Sequence, residues 1–579
     1  MRISINQVKK SFRGMSRPAL AGITATIERG SVVGLIGPDG AGKTTLMRIL
    51  AGLYKADNGC VIIEDSNGEK LIAGIDANIG YMPQKFGLYE DLTIEENMTF
   101  YADLAGVSGD SRDKLFNKLL LLTQLAAFTD RPAGKLSGGM KQKLGLACVL
   151  LSEPDILLLD EPGVGVDPIA RRELWEMVHA LAAQGMLIVW GTSYLDEAEK
   201  CDNIILLHEG ELLYRGCPQS LTESMAERSF LMAVPAHSRR TQLQTAILCP
   251  DVSDAVCQGS YIRLIVKKNT DTSVLMAALG QPAGMLRSVA PRFEDAFIDL
   301  LGGGPSEPSR LAEFMTPIST ELKETVIEAK QLTKRYGSFT ATSDINFSVK
   351  RGEIFGLLGP NGAGKSTTFK MMCGLQSVTD GAALVLGQDL SITSGKIRQH
   401  LGYMAQKFSL YEHLTVRQNL DFFSGIYGLY GHTKQSAIQN MIHIFAFEPI
   451  LSQKTGQLPM GFKQRLALAC ALMHEPDILF LDEPTSGVDP ITRREFWLHI
   501  NGMVNKGVTV MVTTHFLEEA EYCDRIGLVY RGQMIALGEP DDFKKQVITP
   551  ELPDPSMEDA FINLVLNYDK KQQRQNGEY

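Results

Sequence analysis

Short, uninterrupted apolar runs mark the predicted strands of this chain. Two runs, SVVGLIG at 31–37 and EIFGLLG at 353–359, end in glycine, and two more, DILLLDE at 155–161 and DILFLDE at 477–483, end in paired carboxylates. Apolar runs without polar alternation are typical of parallel strands that are buried on both faces. Helical stretches lie between the runs, so the pattern predicts an α/β fold.

The whole pattern occurs twice, which indicates a tandem duplication. Residues 1–226 match residues 327–550, and YMPQKFGLYEDLT from Tyr81 recurs as YMAQKFSLYEHLT from Tyr403, 322 residues later. This period is far longer than the units of a solenoid, so each half should be a separate domain of similar fold.

The halves differ in the segment that follows the first domain. RFEDAFIDL at 292–300 resembles SMEDAFINL at 556–564, but the offset has fallen from 322 to 264 residues. Apolar runs and helical patches in the extra stretch predict a small α+β accessory subdomain at 227–301, of βαββαβ type, with a packing or regulatory role. Gly, Pro and Ser then indicate a linker at 302–326, and a C-terminal helix and polar tail are expected at 551–579.

Composition and charge limit the possible partners. The chain has 579 residues, 44% of them hydrophobic, and a formal net charge of −10, which argues against a coat on nucleic acid or anionic lipid. Its nine cysteines form no CxxC pair, so small buried residues fit them better than a metal or disulfide framework. The N-terminus lacks the apolar core of a signal peptide, and no apolar run reaches the ~18–20 residues that span a bilayer. We therefore expect any membrane association to pass through a partner.

Two phosphate-binding loops follow the strands that end in glycine. They read GPDGAGKTT and GPNGAGKST, and each lies between a predicted strand and a predicted helix. Glycines let backbone N–H groups approach phosphates, and the helix N-terminus favours an anion. The lysine would reach the β- and γ-phosphates, and the next hydroxyl would bind Mg²⁺. The predicted nucleotide-binding residues are Gly37, Gly40, Gly42, Lys43, Thr44, Thr45, Gly359, Gly362, Gly364, Lys365, Ser366 and Thr367.

The paired carboxylates supply the remaining chemistry of a nucleotide-hydrolysing site. Asp160 and Asp482 would hold Mg²⁺, together with the hydroxyls of Thr44 and Ser366 from the two loops. Glu161 and Glu483 stand one residue further along, where each could polarise an attacking water.

A third motif identifies the family. KLSGGMKQKLGLA at 135–147 places Ser137, Gly138 and Gly139 at the start of a predicted helix, a further anion-binding terminus. This motif, the two loops and the Asp-Glu-Pro segments together resemble the ATP-binding cassette (ABC) family over about four-fifths of the chain. The resemblance implies two P-loop ATPase domains that close head to tail on two ATP molecules with Mg²⁺. Each site would combine the loop and carboxylates of one cassette with the Ser-Gly-Gly signature of the other.

The resemblance assigns further roles. Gln84 and Gln406 match the glutamine loop, which senses Mg²⁺ and contacts the membrane partner, and Asp167 matches the D-loop, as does Asp489 in the second half. Phe12 and Tyr336 stand where an aromatic ring stacks on adenine, although residues so close to a strand could equally belong to the core.

Each half is altered at a different motif. His515 matches the switch histidine of the family, whereas Ser193 stands at that place in the first half. The signature is altered in the second half, where Pro459 and Met460 replace a serine and a glycine, and proline also lacks an N–H.

Head-to-tail pairing would bring both alterations into one site. The other site would be complete, with Lys365, Glu483, His515 and the signature at Ser137. The resemblance thus implies one hydrolytic site and one that mainly holds nucleotide.

The segments after each glutamine, KFGLYEDLTIEEN and KFSLYEHLTVRQN, and the repeated EDAFI resemble the drug-export branch of the family. This implies an ATPase subunit that works with separate, exporter-type permeases, two different ones, on the cytoplasmic face of the inner membrane. Two alternatives share the tandem arrangement. A sugar-importer ATPase differs in its signature and linker, and a ribosome-associated translation factor would carry a long charged linker for RNA, so we expect no nucleic-acid partner.

Overall fold

A computed structural model describes most of the chain. The described residues are 1–13, 17–65, 68–71, 77–85, 87–318, 324–390, 397–406, 409–514, 516–550 and 552–576. The chain divides into two compact units. The first comprises Met1–Ala226, Pro291–Leu300 and Gly487–Pro490, and the second comprises Glu227–Ala290, Leu301–Ser486 and Ile491–Tyr579.

The first unit holds the first cassette. Its strands are β1 (Arg2–Lys10), β2 (Leu20–Glu28), β3 (Val32–Ile36), β4 (Asn58–Glu64), β5 (Lys70–Leu71), β6 (Ile79–Met82), β7 (Ile156–Asp160), β8 (Leu187–Thr192), β9 (Asn203–His208) and β10 (Glu211–Gly216). Its helices up to Ala226 are α1 (Lys43–Leu50), α2 (Ile94–Leu104), α3 (Asp110–Leu122), α4 (Gly138–Leu150), α5 (Pro168–Ala183), α6 (Leu195–Ala198) and α7 (Pro218–Glu223).

Two sheets form this cassette. The larger has the order β10-β9-β3-β8-β7-β6, parallel except for the β9–β10 pair, and the antiparallel one has the order β2-β1-β4-β5. Every residue of β3 and β7 is buried, as their apolar runs predict. Because β3, β8 and β7 are parallel neighbours, the residues that follow them meet at one edge of the sheet.

The accessory subdomain comes next in the chain but belongs to the second unit. Its elements are β11 (Ser229–Ala233), α8 (Arg239–Ile247), β12 (Val252–Gln258), β13 (Tyr261–Val266), α9 (Thr272–Ala278) and β14 (Leu286–Ser288). This is the βαββαβ order that the sequence predicts, in an antiparallel sheet of order β12-β13-β11-β14. Helix α10 (Phe293–Leu300) then returns to the first unit and contacts α6 and α7.

The second cassette repeats the topology of the first. Its strands are β15 (Thr325–Tyr336), β16 (Phe339–Lys350), β17 (Ile354–Leu358), β18 (Asp380–Val385), β19 (Gln388–Asp389), β20 (Leu401–Met404), β21 (Ile478–Asp482), β22 (Thr509–Thr514), β23 (Arg525–Tyr530) and β24 (Gln533–Gly538). Its helices are α12 (Lys365–Met372), α13 (Val416–Ile426), α14 (Gly431–Ile444), α15 (Met460–Leu472), α16 (Pro490–Asn505), α17 (Leu517–Ala520), α18 (Pro540–Lys545) and α19 (Met557–Asn576). The sheet orders are β20-β21-β22-β17-β23-β24 and β16-β15-β18-β19.

Two segments of low-complexity composition are more ordered than that composition indicates. The expected linker contains helix α11 (Arg310–Phe314), with Leu311 and Met315 buried, and Ser309 Oγ lies 2.8 Å from His499 Nδ1 of α16. The expected polar tail continues α19 to Asn576. Among the described residues, no helix is long and apolar enough to cross a membrane.

Candidate functional site

The first phosphate loop is folded for close approach of an anion. Gly42 has φ +106°, and a Cβ there would lie 2.5 Å from the Ala19 carbonyl oxygen, so only glycine fits without a shift. Helix α1 begins at the next residue, Lys43. The buried Lys43 Nζ donates to the carbonyl oxygens of Gly37 at 2.7 Å and Pro38 at 3.2 Å, which holds the ammonium inside the loop.

The second loop repeats this geometry. Gly364 has φ +105°, helix α12 begins at Lys365, and Lys365 Nζ donates to Gly359 O at 2.7 Å and Pro360 O at 3.0 Å. In each loop, therefore, the lysine ammonium and the helix N-terminus lie close together, and both favour an anion there.

The first aspartate lies beside the loop hydroxyl. Thr44 Oγ1 donates to Asp160 Oδ1 at 3.1 Å, and the Tyr81 hydroxyl donates to Asp160 Oδ2 at 3.2 Å. Burial raises the pKa of Asp160, and these two hydrogen bonds oppose that rise. Tyr81 is not among the predicted site residues, and its position three residues before Gln84 is the one indication of a role in the sequence.

Glu161 forms an ion pair with Lys43 and accepts two hydrogen bonds from Ser193. Its backbone is left-handed, with φ +53°, an uncommon conformation for a residue with a side chain. Lys43 Nζ lies 3.1 Å from Oε1, and Ser193 donates its backbone N–H and its hydroxyl to Oε2 at 3.1 and 3.3 Å. All three side chains are buried. Ser193 therefore lies against Glu161, at the place where the sequence alone indicates only a missing histidine.

Glu483 has a different partner. Its φ is +48°, and Gln406 Nε2 donates to its Oε2 at 2.7 Å. Thr513 at the end of β22 donates to Asp482 Oδ1 at 2.5 Å and accepts the Glu483 N–H at 3.0 Å. Burial raises the pKa of Asp482, and the Thr513 hydrogen bond opposes the rise. The polar end of the apolar run VTVMVTT was the available signal for Thr513. His515 lies outside the described residues.

The two signature segments start their helices differently. Ser137 is exposed and caps α4, its Oγ accepting the Met140 N–H at 3.2 Å. A Cβ on Gly139 would lie 2.5 Å from the Cβ of Ala170, so α4 and α5 approach closely there. Pro459 precedes α15 and has no side-chain oxygen for a cap, and Met460 is 38% exposed.

The remaining predicted residues are accessible or structural. Phe12 is 38% exposed and contacts Tyr54 edge-on at 5.9 Å, and Tyr336 is 48% exposed. Neither ring belongs to the core, and a lysine ammonium lies over each ring, Lys10 Nζ at 5.7 Å from the Phe12 centroid and Lys334 Nζ at 5.3 Å from the Tyr336 centroid. Gln84 is exposed, and Asp167 caps α5 by accepting the Ala170 N–H at 3.1 Å.

Comparison with known proteins agrees with this geometry. The sequence profile described as "ABC transporter" matches residues 20–164 and 342–486. The chain is 62% identical over 98% of its length, and 98% of the relative, to an Escherichia coli (strain K12) protein named "Probable multidrug ABC transporter ATP-binding protein YbhF". It is 39% identical to the Bacillus subtilis "Linearmycin resistance ATP-binding protein LnrL", covering 38% of this chain and 70% of the relative. Burkholderia orbicola "Nod factor export ATP-binding protein I" is 40% identical over 37% of this chain and 71% of its own length.

Proposed function

The chain belongs to the ABC transporter family, and from that membership we propose that it is the ATP-hydrolysing subunit of a membrane exporter. ATP-binding subunits of this family are ATPases. The cargo would be drugs or other small amphipathic compounds, carried by separate permeases on which this subunit docks from the cytoplasmic face of the inner membrane. The observation that carries the proposal is the 62% identity, over 98% of the chain, to a relative named for multidrug transport.

Two further relatives favour export over import. One is named for export of a Nod factor and the other for linearmycin resistance. A sugar importer or a ribosome-bound factor has no comparable support from these names.

The donor set at the end of β7 fits Mg²⁺. Thr44 Oγ1 and Asp160 Oδ1 lie 3.1 Å apart, and hydroxyl and carboxylate oxygens are the ligands that this ion prefers. Ser366 and Asp482, with Gln84 and Gln406 from the glutamine loops, would complete the two sets. A bound Mg²⁺ would neutralise charge on the β- and γ-phosphates.

The chain's own groups would then perform three tasks in hydrolysis. Lys365 would exchange its two carbonyl partners for phosphate oxygens. Glu483 would orient the attacking water and accept its proton, and Gln406, 2.7 Å from it, would hold that carboxylate in place.

We assign hydrolysis mainly to Glu483 rather than to Glu161. Glu161 is paired with Lys43 and accepts two hydrogen bonds from Ser193, which stands in the position of the switch histidine. Together with the altered signature at Pro459, these contacts support one competent and one degenerate site.

Steady-state ATPase assays on two matched variants test this assignment. Glu483→Gln should lower kcat by about 10²-fold or more, because one preorganised group at the transition state typically contributes that much. Glu161→Gln should leave kcat within about threefold of the native value. Equal losses in both variants would contradict the assignment.

The two cassettes offer related surfaces for permeases. In the first, exposed Tyr89 contacts Phe100 edge-on at 4.8 Å, and Asn97 holds the Tyr89 backbone by hydrogen bonds of 2.9 and 3.1 Å. Tyr411 and Phe422 repeat this pair at 4.7 Å. Exposed aromatic side chains beside the glutamine loop suit burial against a partner helix.

The charges around these aromatic pairs differ. Four exposed carboxylates flank the first pair in the sequence, Glu90, Asp91, Glu95 and Glu96, and Glu90 pairs with Lys141 at 2.9 Å. The corresponding residues around the second pair are Glu412, His413, Arg417 and Gln418. Charge complementarity selects partners, so the first surface would take a more basic permease segment than the second, which supports two different permeases.

Drug accumulation in cells tests the export function. Cells that lack the gene should accumulate more of at least one amphipathic dye, and the native gene should restore efflux while Glu483→Gln should not. Unchanged accumulation of every dye, with ATPase activity intact, would contradict drug export.

A further inference from the structure

The accessory subdomain, residues 227–290, follows the first cassette in the sequence but packs on the second. Its contacts there include two groups of polar and charged side chains, besides the hydrogen bonds from Ser260 to Asp541. One group lies on helix α16, and the other lies on the segment from Phe516 to Asp524.

The first group centres on a buried ion pair. Arg494 Nε lies 3.1 Å from Asp254 Oδ2 of β12, and the two side chains are only 5% and 3% exposed. Arg494 Nη1 also donates to the Tyr522 hydroxyl at 2.6 Å. Arg494 stands in the first turns of α16, which begins immediately after Asp489 of the D-loop. Asp254 therefore fixes both the start of this helix and, through Arg494, the segment that carries Tyr522.

The second group reaches the end of that segment. Arg239 and Arg240 of α8 both pair with Asp524, and the Gly259 N–H donates to the Glu521 carbonyl at 2.9 Å. Asp524 Oδ2 in turn accepts the N–H of Ile354 at 2.9 Å, at the start of the strand that leads into the second phosphate loop.

The first cassette has the equivalent of the Asp524–Ile354 hydrogen bond but lacks an equivalent of the Arg494–Asp254 ion pair. Asp202 accepts the Val32 N–H at 2.8 Å, as Asp524 does for Ile354. At the position of Arg494, however, Arg172 is 60% exposed and pairs with Glu176 of its own helix at 3.5 Å. The cassette fold therefore does not need the subdomain contacts, and they are an addition to the cassette that carries Glu483.

We propose that the subdomain is a positioning element for the Glu483 site, and that Asp254 is its main positioning residue. Asp254 acts through Arg494 to hold the D-loop end of α16 against the segment that follows position 515. Without this restraint, the start of α16 and the segment after position 515 would sample other positions. The population in which the groups of the Glu483 site are aligned for hydrolysis would then be smaller. The inference rests on the proposed function of that site.

ATPase kinetics of the purified full chain test the proposal. Asp254→Asn keeps the size of the side chain and removes its charge, and we expect kcat to fall about 5- to 20-fold while KM for ATP stays within about twofold. Asp254→Glu should recover part of the loss. Asp271→Asn is the matched control, because Asp271 is exposed in the same subdomain and asparagine also caps helices well.

Folding and site function are separated by two further measurements. Asp254→Asn leaves the buried Arg494 without this counter-charge, so the thermal midpoint should fall, and kcat is therefore measured at a temperature where circular dichroism shows the variant folded. The affinity for a fluorescent ATP analogue should stay near native at that temperature. Arg240→Gln, at the partly exposed rim, should lower kcat in the same direction. Native kcat in folded Asp254→Asn, or a loss of kcat that only follows unfolding, would overturn the proposal. If Glu483→Gln also keeps native activity, the assignment of the hydrolytic site has failed as well; if Glu483→Gln is inactive, the positioning role alone has failed.

Discussion

Ser193 donates both its backbone N–H and its hydroxyl to the Oε2 of Glu161, at 3.1 and 3.3 Å. On the other side, Lys43 Nζ lies 3.1 Å from Oε1. The carboxylate that the sequence predicts to polarise water is here part of a buried polar cluster. In the nucleotide-free protein, this cluster should contribute to stability.

The first prediction concerns that cluster. Glu161→Gln leaves the buried Lys43 without its counter-charge, so it should destabilise the nucleotide-free protein by about 1–3 kcal/mol. Thermal unfolding without ATP measures this. Glu209→Gln is the control, since its ion pair with Arg17 is exposed and its loss should cost less than about 0.5 kcal/mol. Similar small shifts in both variants would mean that the cluster contributes little.

A second prediction follows from the uncapped start of α15. Pro459→Ser should supply the oxygen that Ser137 supplies to α4, whereas Pro459→Ala removes the ring without adding an acceptor. The serine variant should be more stable than the alanine variant by about 0.5–2 kcal/mol. Denaturant midpoints compare them directly, and equal midpoints would show that no cap forms.

The exposed aromatic rings give a third prediction. Tyr336→Ala and Phe12→Ala should weaken ATP binding about 5- to 160-fold, because stacking of a base on an aromatic ring contributes about 1–3 kcal/mol. Titration with a fluorescent ATP analogue measures the affinity, provided that the two sites are resolved in the fit. Phe128→Ala, which also removes an exposed ring, should leave both affinities unchanged. Native affinity in the first two variants would assign these rings to another contact.

The fourth prediction concerns acid stability. His474 stacks on Tyr427 with ring centroids 3.7 Å apart, its Nε2 donates to Leu401 O at 3.0 Å, and burial lowers its pKa from 6.5 to about 4. The unfolded chain therefore binds a proton on this ring between pH 6.5 and 4 while the folded chain does not. Stability is full above pH 6.5 and falls with pH through that window, by an amount on the order of 3 kcal/mol.

His474→Gln keeps a donor for Leu401 and cannot titrate. When the pH is lowered from 7.5 to 5, the thermal midpoint of the native protein should therefore fall more than that of the variant. A difference that does not change with pH would mean that His474 does not carry this part of the acid response.

The local pattern of apolar and polar residues predicts the buried strands and the loops that follow them. It does not predict contacts between residues that are far apart in the sequence. The apolar runs located β3, β7, β17 and β21, because strands buried on both faces leave no polar positions. Their glycine and carboxylate ends located the loops and the Thr44–Asp160 contact, since parallel neighbours end at one edge. The sequence shows only that Ser193 stands where the family has a histidine. It does not predict the hydrogen bonds from Ser193 to Glu161, because these depend on how the ends of β7 and β8 lie in the folded sheet.

The linker shows the same limit. Gly, Pro and Ser make up half of residues 302–317, yet Leu311, Ala312 and Met315 are buried in this segment. These three positions lie at helical spacing, a signal too short to outweigh composition. Likewise, the order of elements in the accessory subdomain followed from its pattern, but its place on the second cassette depends on side chains such as Asp254 and Arg494, which are 240 residues apart.

The path of the backbone between the two units has a practical consequence. The chain enters the second unit at Glu227, returns to the first for Pro291–Leu300, and leaves again at Leu301. A protease that cuts once in the region 302–318 therefore releases an N-terminal fragment that still contains a subdomain of the other unit. A cut at 226–227 instead leaves Pro291–Leu300, which belongs to the first unit, on the C-terminal fragment. Whichever of these two places divides the chain, one separately expressed half carries a segment that belongs to the unit of the other half, so the two halves of this duplicated protein are not interchangeable copies.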